Sequence, residues 1–421
     1  MTTAEPAPDS KCPVAHGDSA VPLSGPRFHT DPHQVYREMR RDHGPVVPVE
    51  LPGGVPAWLV IGYRELHQVT GDAELFPRDV SLWNQWPNIP EDWPLLPMVG
   101  RPMPSIYFTA GEAHRRHAEL VGPALESVDP FELRRACEEL SDRLVDSFCG
   151  SGEAELLADF AKPLPVLALA RIIGFPDAEG ARLAEVLGEL ADGGAGAQAA
   201  YLEFVDHMHR LVKAKRAEPG ADIISWLLAH GAGFTEEELA FDAKDVTAAG
   251  FLTTADWIGN SIRLMLTDDR FAAALGGGRH SVGQAMNEVL WEDTPTQILA
   301  GRWAARDTVL SGRRIRAGDM LLLGLAGANA DPLIHHGPSS YENGNSAHFA
   351  YSFGEYRCPF AAQEIAEIIA RTGIEVLLDR LPDLDLAVPV KTLVRRPSAF
   401  LRGMTAIPVR FTPVPALGGQ P

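Results

Sequence analysis

The chain has 421 residues, a net charge of −19 and four cysteines, at positions 12, 137, 149 and 358. The acidic balance argues against nucleic acid as a partner, because phosphates are bound by Lys and Arg, and against an anionic membrane surface. The cysteines are too few and too scattered for a disulfide framework, and the chain has neither a long apolar run nor an apolar signal core. The sequence therefore predicts a soluble, cytoplasmic protein.

Hydrophobic periodicity predicts helices along most of the chain. Residues 46–51 and 57–61 flank Pro-Gly-Gly and are predicted to form a hairpin, with a helix from about residue 64. Apolar residues recur at helical spacing over residues 132–148, 164–173, 179–191 and 195–216. After residue 310 the pattern changes to short β-segments, with a further pair near residues 394 and 409. The pattern is typical of a mostly α fold with small β-sheets.

The segment 77–108 differs from the rest of the chain. It is long, has little periodicity, and contains Trp83, Trp86 and Trp93 among seven prolines. A segment of this kind is more often a functional or disordered loop than a core element. For each tryptophan, anchoring of the loop to the core is at least as good an interpretation as ligand binding.

A long helix is predicted from about residue 242 to residue 267. It contains Ala249-Gly250-Phe251-Leu252-Thr253-Thr254. The small pair at 249 and 250 would let a ligand press against the helix. A glycine retained for helix packing is the alternative interpretation.

Cys358 closes the segment Tyr351-Ser352-Phe353-Gly354-Glu355-Tyr356-Arg357-Cys358-Pro359, directly before an amphipathic stretch at 361–378. Backbone N–H groups and the dipole at a helix start stabilise a thiolate, and Arg357 adds a positive charge. Such a sulfur is suited to hold a metal. A small buried hydrophobic residue is the alternative.

These two motifs resemble those of a bacterial, actinobacterial-type cytochrome P450. The resemblance covers residues 27–412 and implies one domain, leaving residues 1–26 as a flexible arm and 413–421 as a tail. It implies the cytochrome P450 fold, mostly α with small β-sheets, enclosing haem b. Cys358 would be the iron ligand, as in haem enzymes that cleave dioxygen.

The resemblance also carries roles to individual residues. Thr253 would be catalytic, by hydrogen bonding to oxygen or water. Arg302, whose fork suits a carboxylate, and His114 would bind the haem propionates. Gly354 would let the loop approach the flat macrocycle closely. The remaining implied residues are His348 and Arg357 at the cofactor, and Trp83, Trp86, Leu252 and Gln297 at the substrate pocket.

The chain departs from the family pattern at several positions. Leu252 replaces the acid that normally relays protons with the threonine, and Trp291 replaces the arginine of the Glu-x-x-Arg motif that begins at Glu288. The second bracing arginine is replaced by Ser340. At the propionates, the usual cations are replaced by Ala118 and Tyr356. A subgroup with Glu-x-x-Trp has this form, and some of its relatives couple aromatic cyclodipeptides or peptides.

The resemblance implies a haem-thiolate oxidoreductase that receives electrons from a ferredoxin-type donor and its reductase. The missing acid and the aromatic loop favour oxidative C–C or C–N coupling of a small aromatic natural product in secondary metabolism. Ordinary hydroxylation of a small apolar substrate is the alternative. A non-catalytic haem-binding sensor is an alternative of another class. No nucleotide-binding motif is present.

Overall fold

The computed structural model describes residues 20–23, 25, 27, 30–91, 93, 95–99, 102–192, 196–272, 280–334 and 345–418. The α-helices are α1 (Pro32–His43), α2 (Tyr63–Gly71), α3 (Leu96–Val99), α4 (Gly111–Glu126), α5 (Pro130–Phe148), α6 (Pro163–Ile173), α7 (Gly180–Asp192), α8 (Ala197–Ala217), α9 (Ile223–His230), α10 (Glu236–Thr267), α11 (Asp269–Ala272), α12 (His280–Glu292), α13 (Leu325–Asn329) and α14 (Phe360–Arg380). The strands are β1 (Val21–Pro22), β2 (Val46–Leu51), β3 (Val55–Val60), β4 (Glu153–Glu155), β5 (Leu299–Trp303), β6 (Thr308–Leu310), β7 (Arg313–Ile315), β8 (Met320–Leu323), β9 (Asp385–Leu386) and β10 (Pro408–Arg410).

Helix α10 is the central element of the helical part. Its start is fixed by a capping box, in which Thr235 accepts a hydrogen bond from the Glu238 N–H and the Glu238 carboxylate accepts one from the Thr235 N–H. Along its length α10 packs against α6, α8, α12 and α14. Its middle turns are therefore held in the interior of the molecule.

The largest sheet has the strand order β1-β2-β3-β8-β5. Strands β2 and β3 form an antiparallel hairpin, β3 and β8 are parallel, and β8 and β5 are antiparallel. The ladder between β5 and β8 is irregular between Leu299 and Arg302. This edge of the sheet carries Arg302 into the interior, where its side chain is fully buried.

Two smaller sheets complete the fold. Strands β6 and β7 form a hairpin around Ser311-Gly312, as predicted. The pair predicted near residues 394 and 409 was only partly correct. Strand β10 pairs with β4 and β9, while Val394 lies outside any strand and its carbonyl accepts a hydrogen bond from the Thr405 N–H. The long helices predicted from periodicity all form, with bounds shifted by a few residues.

Both chain ends make contacts within the segments predicted as a flexible arm (1–26) and a tail (413–421). Residues 1–19 lie outside the described part, but Val21 and Pro22 pair in parallel with Val49 and Glu50. At the other end, the N–H of Leu417 donates to the Asp146 carboxylate on α5. Long-range pairing thus orders short segments that carry no local signal. Within the described ranges, no helix combines the length and apolarity that crossing a bilayer requires.

Candidate functional site

Cys358 lies in a turn two residues before α14. Its N–H donates to the Tyr351 carbonyl at 3.0 Å, and its own carbonyl accepts from Gln363 Nε2 at 2.8 Å. Burial raises the pKa of the Cys358 thiol to about 12, against the opposing effect of Arg357. The polypeptide alone therefore keeps the sulfur protonated at neutral pH, and a metal ion bonded to it would hold it as a thiolate.

Gly354 has a backbone φ of +78°. A Cβ at this position would collide with the carbonyl oxygen of Thr70 at the end of α2. Glycine is thus required here, and the predicted close approach of this loop to the macrocycle stays a prediction. The close approach that the structure shows is between the cysteine loop and α2.

Arg357 is exposed at the surface. Its guanidinium group lies 3.6 Å from the ring centroid of Phe360, which is itself 65% exposed. The structure therefore does not bring Arg357 to the buried groups described below. Stacking on Phe360 keeps the Arg357 cation at the surface, and its contact with the cofactor stays a prediction.

One face of the buried helix α10 is open. Ala249 is exposed, and Val246, Gly250 and Thr253 are partly exposed, at helical spacing on a helix that is otherwise mostly buried. Thr253 Oγ1 donates a hydrogen bond to the Ala249 carbonyl at 2.7 Å. Leu252 is partly buried and packs against the main core. The open face thus presents a hydroxyl, small residues and aliphatic carbon.

Arg302 and Arg78 bring two buried guanidinium groups close together. Arg302 is 0% exposed and Arg78 is 7% exposed. The ring of Tyr356 lies next to both, with centroid distances of 4.5 Å to Arg302 and 5.5 Å to Arg78. Burial lowers the pKa of both arginines, and the charge of Arg78 lowers that of Arg302 further.

His114 lies beside these two cations. Its Nδ1 lies 3.0 Å from the Ile106 carbonyl and its ring centroid lies 4.6 Å from that of Tyr356. Burial lowers the pKa of His114 to about 4, and Arg78 and Arg302 act in the same direction. His114 is therefore neutral at pH 7 and adds no charge to the site. Its Nε2 lies 3.4 Å from the Glu355 carbonyl, so its single N–H donates to one of these two carbonyls.

These groups fit a haem. Among the described residues no carboxylate forms an ion pair with Arg302 or Arg78, and Arg302 Nε and Nη2 have no hydrogen-bond partner. Buried cations in such surroundings require an anion, and haem carries two propionates. The helix with the open face, α10, packs against α14, which follows Cys358. The residues present thus include a sulfur for the iron, cations for the propionates and a helix face for the ring.

His348 and Trp291 occupy a neighbouring region. Trp291 is 4% exposed, donates from Nε1 to the Asn345 carbonyl at 2.9 Å, and lies edge-on to His348 at 5.8 Å between ring centroids. Burial lowers the pKa of His348 to about 4. The indole thus packs and hydrogen-bonds where the family has an arginine. Ser340 lies outside the described residues.

Trp83 and Trp86, predicted for the substrate pocket, pack against each other. Trp83 is 2% exposed and contacts Trp86 and Trp93, with ring centroids 5.3 and 5.8 Å away. All three pack on the core of the five-stranded sheet. Trp86 and Trp93 donate to the Val80 and Pro52 carbonyls. The structure thus places Trp83 and Trp86 against the sheet, and their role in a substrate pocket stays a prediction.

Gln297 is buried next to β5. Its Nε2 donates to the Ser398 carbonyl at 2.8 Å, and its N–H donates to the Phe400 carbonyl at 2.8 Å. Its Oε1 has no hydrogen-bond partner among the described residues. This oxygen is available to a donor, so the predicted pocket role of Gln297 stays open.

A small cavity of about 10 Å³ lies beside Arg78. Its lining includes three aromatic side chains, Tyr107, Phe108 and Trp303. Sequence reasoning missed these residues and Arg78. The loss of cations at positions 118 and 356 indicated that a replacement was needed, but no local pattern indicated which residue supplies it.

No protein-family model matches the chain. Among curated proteins, the chain is similar to the cytochrome P450 monooxygenase PikC of Streptomyces venezuelae, with 29% identity over 402 residues and 92% of each chain covered. Among solved structures, CYP154C4 from a Streptomyces species has a TM-score of 0.84 and 26% identity, covering 93% of this chain and 98% of that one. CxnD, a cytochrome P450 enzyme for C–S bond formation in chuangxinmycin biosynthesis, has a TM-score of 0.80 and 25% identity, covering 94% and 98%.

These relatives cover more than nine-tenths of the chain. The chain holds a cysteine sulfur and two buried arginines, which are groups of the kind that a haem iron and its propionates bind. The chain is an oxidoreductase of the bacterial cytochrome P450 type, with haem b as its cofactor.

Proposed function

We propose that the chain oxidises a small aromatic natural product in secondary metabolism and joins two aromatic groups through a C–C or C–N bond. Haem held by a thiolate supplies the oxidising power, by reducing dioxygen. In coupling, two substrate C–H or N–H bonds each lose one hydrogen atom and one new bond forms. Two additional electrons and two protons complete the reduction of dioxygen to two waters.

The observation that carries this proposal is the lack of an acid on the open face of α10. The Thr253 hydroxyl donates its hydrogen bond to the Ala249 carbonyl, so towards a substrate the Thr253 oxygen acts as an acceptor. Leu252, in the position of the usual acid, has no proton to give. A substrate with its own N–H or O–H, such as an indole or a phenol, would fit such a face, because it could donate to Thr253.

The aromatic lining of the cavity supports the substrate class. Tyr107 and Phe108 lie edge-to-face with ring centroids 4.9 Å apart, and Trp303 lines the same space. Offset and edge-to-face contacts between aromatic rings contribute about 0.5–1.5 kcal/mol each beyond the burial of area. The similar fold of CxnD, an enzyme for C–S bond formation, supports bond formation as the reaction class.

Isotope labelling tests the proposal. The holoenzyme, with reductant, is incubated with a tryptophan-containing cyclic dipeptide under labelled dioxygen, and the products are analysed by mass spectrometry. Coupling predicts dimers or adducts without label. It also predicts that Leu252→Asp forms them no faster than the matched neutral variant Leu252→Asn. Label in a monomeric product would contradict coupling.

Hydroxylation is a second candidate, and a specific residue favours it. Asp256 lies one turn after Leu252 on α10 and is 3% exposed. Burial raises the pKa of Asp256 to about 6, although Arg396, 3.2 Å from its Oδ1, and Lys162 oppose this effect. Such an acid could hold a proton near neutral pH. If Asp256→Asn lowered the rate of a labelled product at least tenfold, hydroxylation with Asp256 as the proton source would replace the coupling proposal.

We propose further that a ferredoxin-type protein and its reductase supply the electrons. Arg357 and Phe360 present a cation and an exposed ring next to Cys358, a surface that suits an acidic protein. Arg357→Glu is expected to slow reduction by an acidic ferredoxin at low salt, with the difference fading at high salt. Arg314→Glu, at an exposed arginine on β7, is the control. Equal rates for wild type and Arg357→Glu would contradict docking at this surface.

A further inference from the structure

We infer that Arg78 is the second propionate-binding cation of this chain, and that it supplies the charge absent at Ala118 and Tyr356. The inference concerns how the cofactor is held, and it is independent of whether the enzyme couples or hydroxylates its substrate. Arg78 lies in the loop between α2 and the first tryptophan of the 77–108 segment. No neighbouring residue in the sequence marks it as a binding residue.

The surroundings of Arg78 leave most of its hydrogen-bonding capacity unused. Its guanidinium carbon lies 4.5 Å from the ring centroid of Tyr107 and 5.5 Å from that of Tyr356. Its Nη2 makes one long hydrogen bond, 3.4 Å, to the Tyr356 carbonyl, while its Nε has no partner. A guanidinium group carries five N–H donors, so several remain for a ligand.

The charge balance requires an anion. Arg78 and Arg302 are both more than nine-tenths buried, and Arg78 acts on Arg302 as a like charge. In the described part of the chain neither forms an ion pair with a carboxylate. Asp245 raises the pKa of Arg78 and Glu355 raises that of Arg302, but these carboxylates pair with Lys244 and Arg115. Two buried cations without a close counter-charge are unfavourable. Two propionates would neutralise the pair and could accept bidentate hydrogen bonds from it.

Tyr356 explains why the cation lies on this loop. The tyrosine stands at the position where the family carries a propionate-binding His or Arg, and its ring faces both guanidinium groups. An aromatic face stabilises a nearby cation, so the replaced residue now supports the two arginines. His114 is neutral and Arg357 is exposed. The positive charge at this end of the site therefore comes from Arg78 and Arg302.

A packing role for Arg78, which would stabilise the loop against Tyr107 and Tyr356, makes a different prediction. Arg78→Met keeps the length and apolar stem of the side chain but removes the charge. If Arg78 binds a propionate, the variant relieves repulsion in the apoprotein and weakens the holoprotein. If Arg78 only packs, apoprotein stability and haem retention fall together.

The experiment measures both quantities on the full chain. Urea unfolding of the apoprotein gives its stability, and transfer of haem from the holoprotein to excess apomyoglobin gives haem retention. We expect Arg78→Met to leave the apoprotein midpoint unchanged or raised and to speed haem transfer about 10- to 100-fold, the effect of losing a hydrogen bond to a charged group. Arg314→Met, at an exposed surface arginine, should change neither.

Haem dimethyl ester provides a second measurement, because its propionates carry no charge. Wild-type apoprotein should prefer free-acid haem over the ester, and Arg78→Met should narrow this preference about tenfold or more. Arg78→Lys, which keeps a point charge without the fork, should lie between the two and serves if Arg78→Met does not fold. Unchanged haem transfer in Arg78→Met, or an unchanged preference in either variant, would overturn the inference.

Discussion

The carbonyl oxygen of Thr70 occupies the space in which a side chain at Gly354 would begin. The end of α2 is thereby fixed against the cysteine loop, four residues before Cys358. Because α2 directly follows strand β3 in the chain, and its Tyr63 N–H donates to the Asp331 carboxylate just after α13, this contact links the position of the sulfur to the β-sheet side of the molecule.

Gly354→Ala is expected to destabilise the protein and to displace the loop. Gly312→Ala is the matched control, because Gly312 has a φ of +79°, close to the +78° of Gly354, but no atom lies within 4 Å of a Cβ there. The control should cost only the backbone strain, about 1–2 kcal/mol. Gly354→Ala should cost clearly more, and haem occupancy should fall. Equal costs for the two variants, measured by urea unfolding, would show that Thr70 can move aside.

Trp291→Arg is expected to reduce stability and not to restore the family's bracing network. The indole is buried and donates to the Asn345 carbonyl, so the variant places a cation in an apolar site and removes this hydrogen bond. We expect a loss of about 3–5 kcal/mol, the range for an unbalanced buried charge. Trp291→Phe, which keeps a ring, should lose less. Unchanged or raised thermal stability of Trp291→Arg would refute this account.

Asp293 is the centre of a buried ion-pair cluster that contributes to the bracing of this chain. Its carboxylate lies 2.5 Å from Arg263, 2.9 Å from Arg395 and 3.0 Å from Arg402. Asp293→Asn leaves three arginines without this charge, and at pH 7 we expect a loss of about 3–5 kcal/mol in the free energy of unfolding.

The effect of Asp293 should depend on pH. Burial alone would raise its pKa, but Arg402, Arg395 and Arg263 outweigh burial and hold it well below its usual range. A carboxyl whose pKa is lower when folded stabilises the protein above its unfolded pKa of about 4, and this stabilisation is lost as the pH falls further. The gap between wild type and Asp293→Asn should therefore narrow below pH 4. A gap that is constant from pH 7 to pH 3 would contradict this cause.

Local patterns predicted the elements on either side of Cys358, but not the buried groups around Arg302. Helices α5, α10 and α14 follow from apolar periodicity, and Cys358 from its place before a helix. Arg78 could not be predicted in this way. Its burial depends on Tyr107 and Tyr356, and the second of these is 278 residues away along the chain.

The tryptophans of the 77–108 segment illustrate the same limit. Their number indicated an important loop, but their role depends on what lies beneath them. Trp83 and Trp93 bury their rings in the apolar core of the five-stranded sheet. Tyr107 and Phe108, which no motif in the sequence marks, line the cavity instead. Composition predicted the kind of side chain but not the face it covers.

The most direct test of the account is the difference spectrum of the reduced, carbon monoxide-bound protein with and without the Cys358 sulfur. Wild type should show the red-shifted band that a thiolate ligand produces, and Cys358→Ala should lose it. Cys137→Ala, at a buried cysteine on α5, should keep the band. A Cys358→Ala protein that retained the red-shifted band would contradict the assignment of Cys358 as the iron ligand.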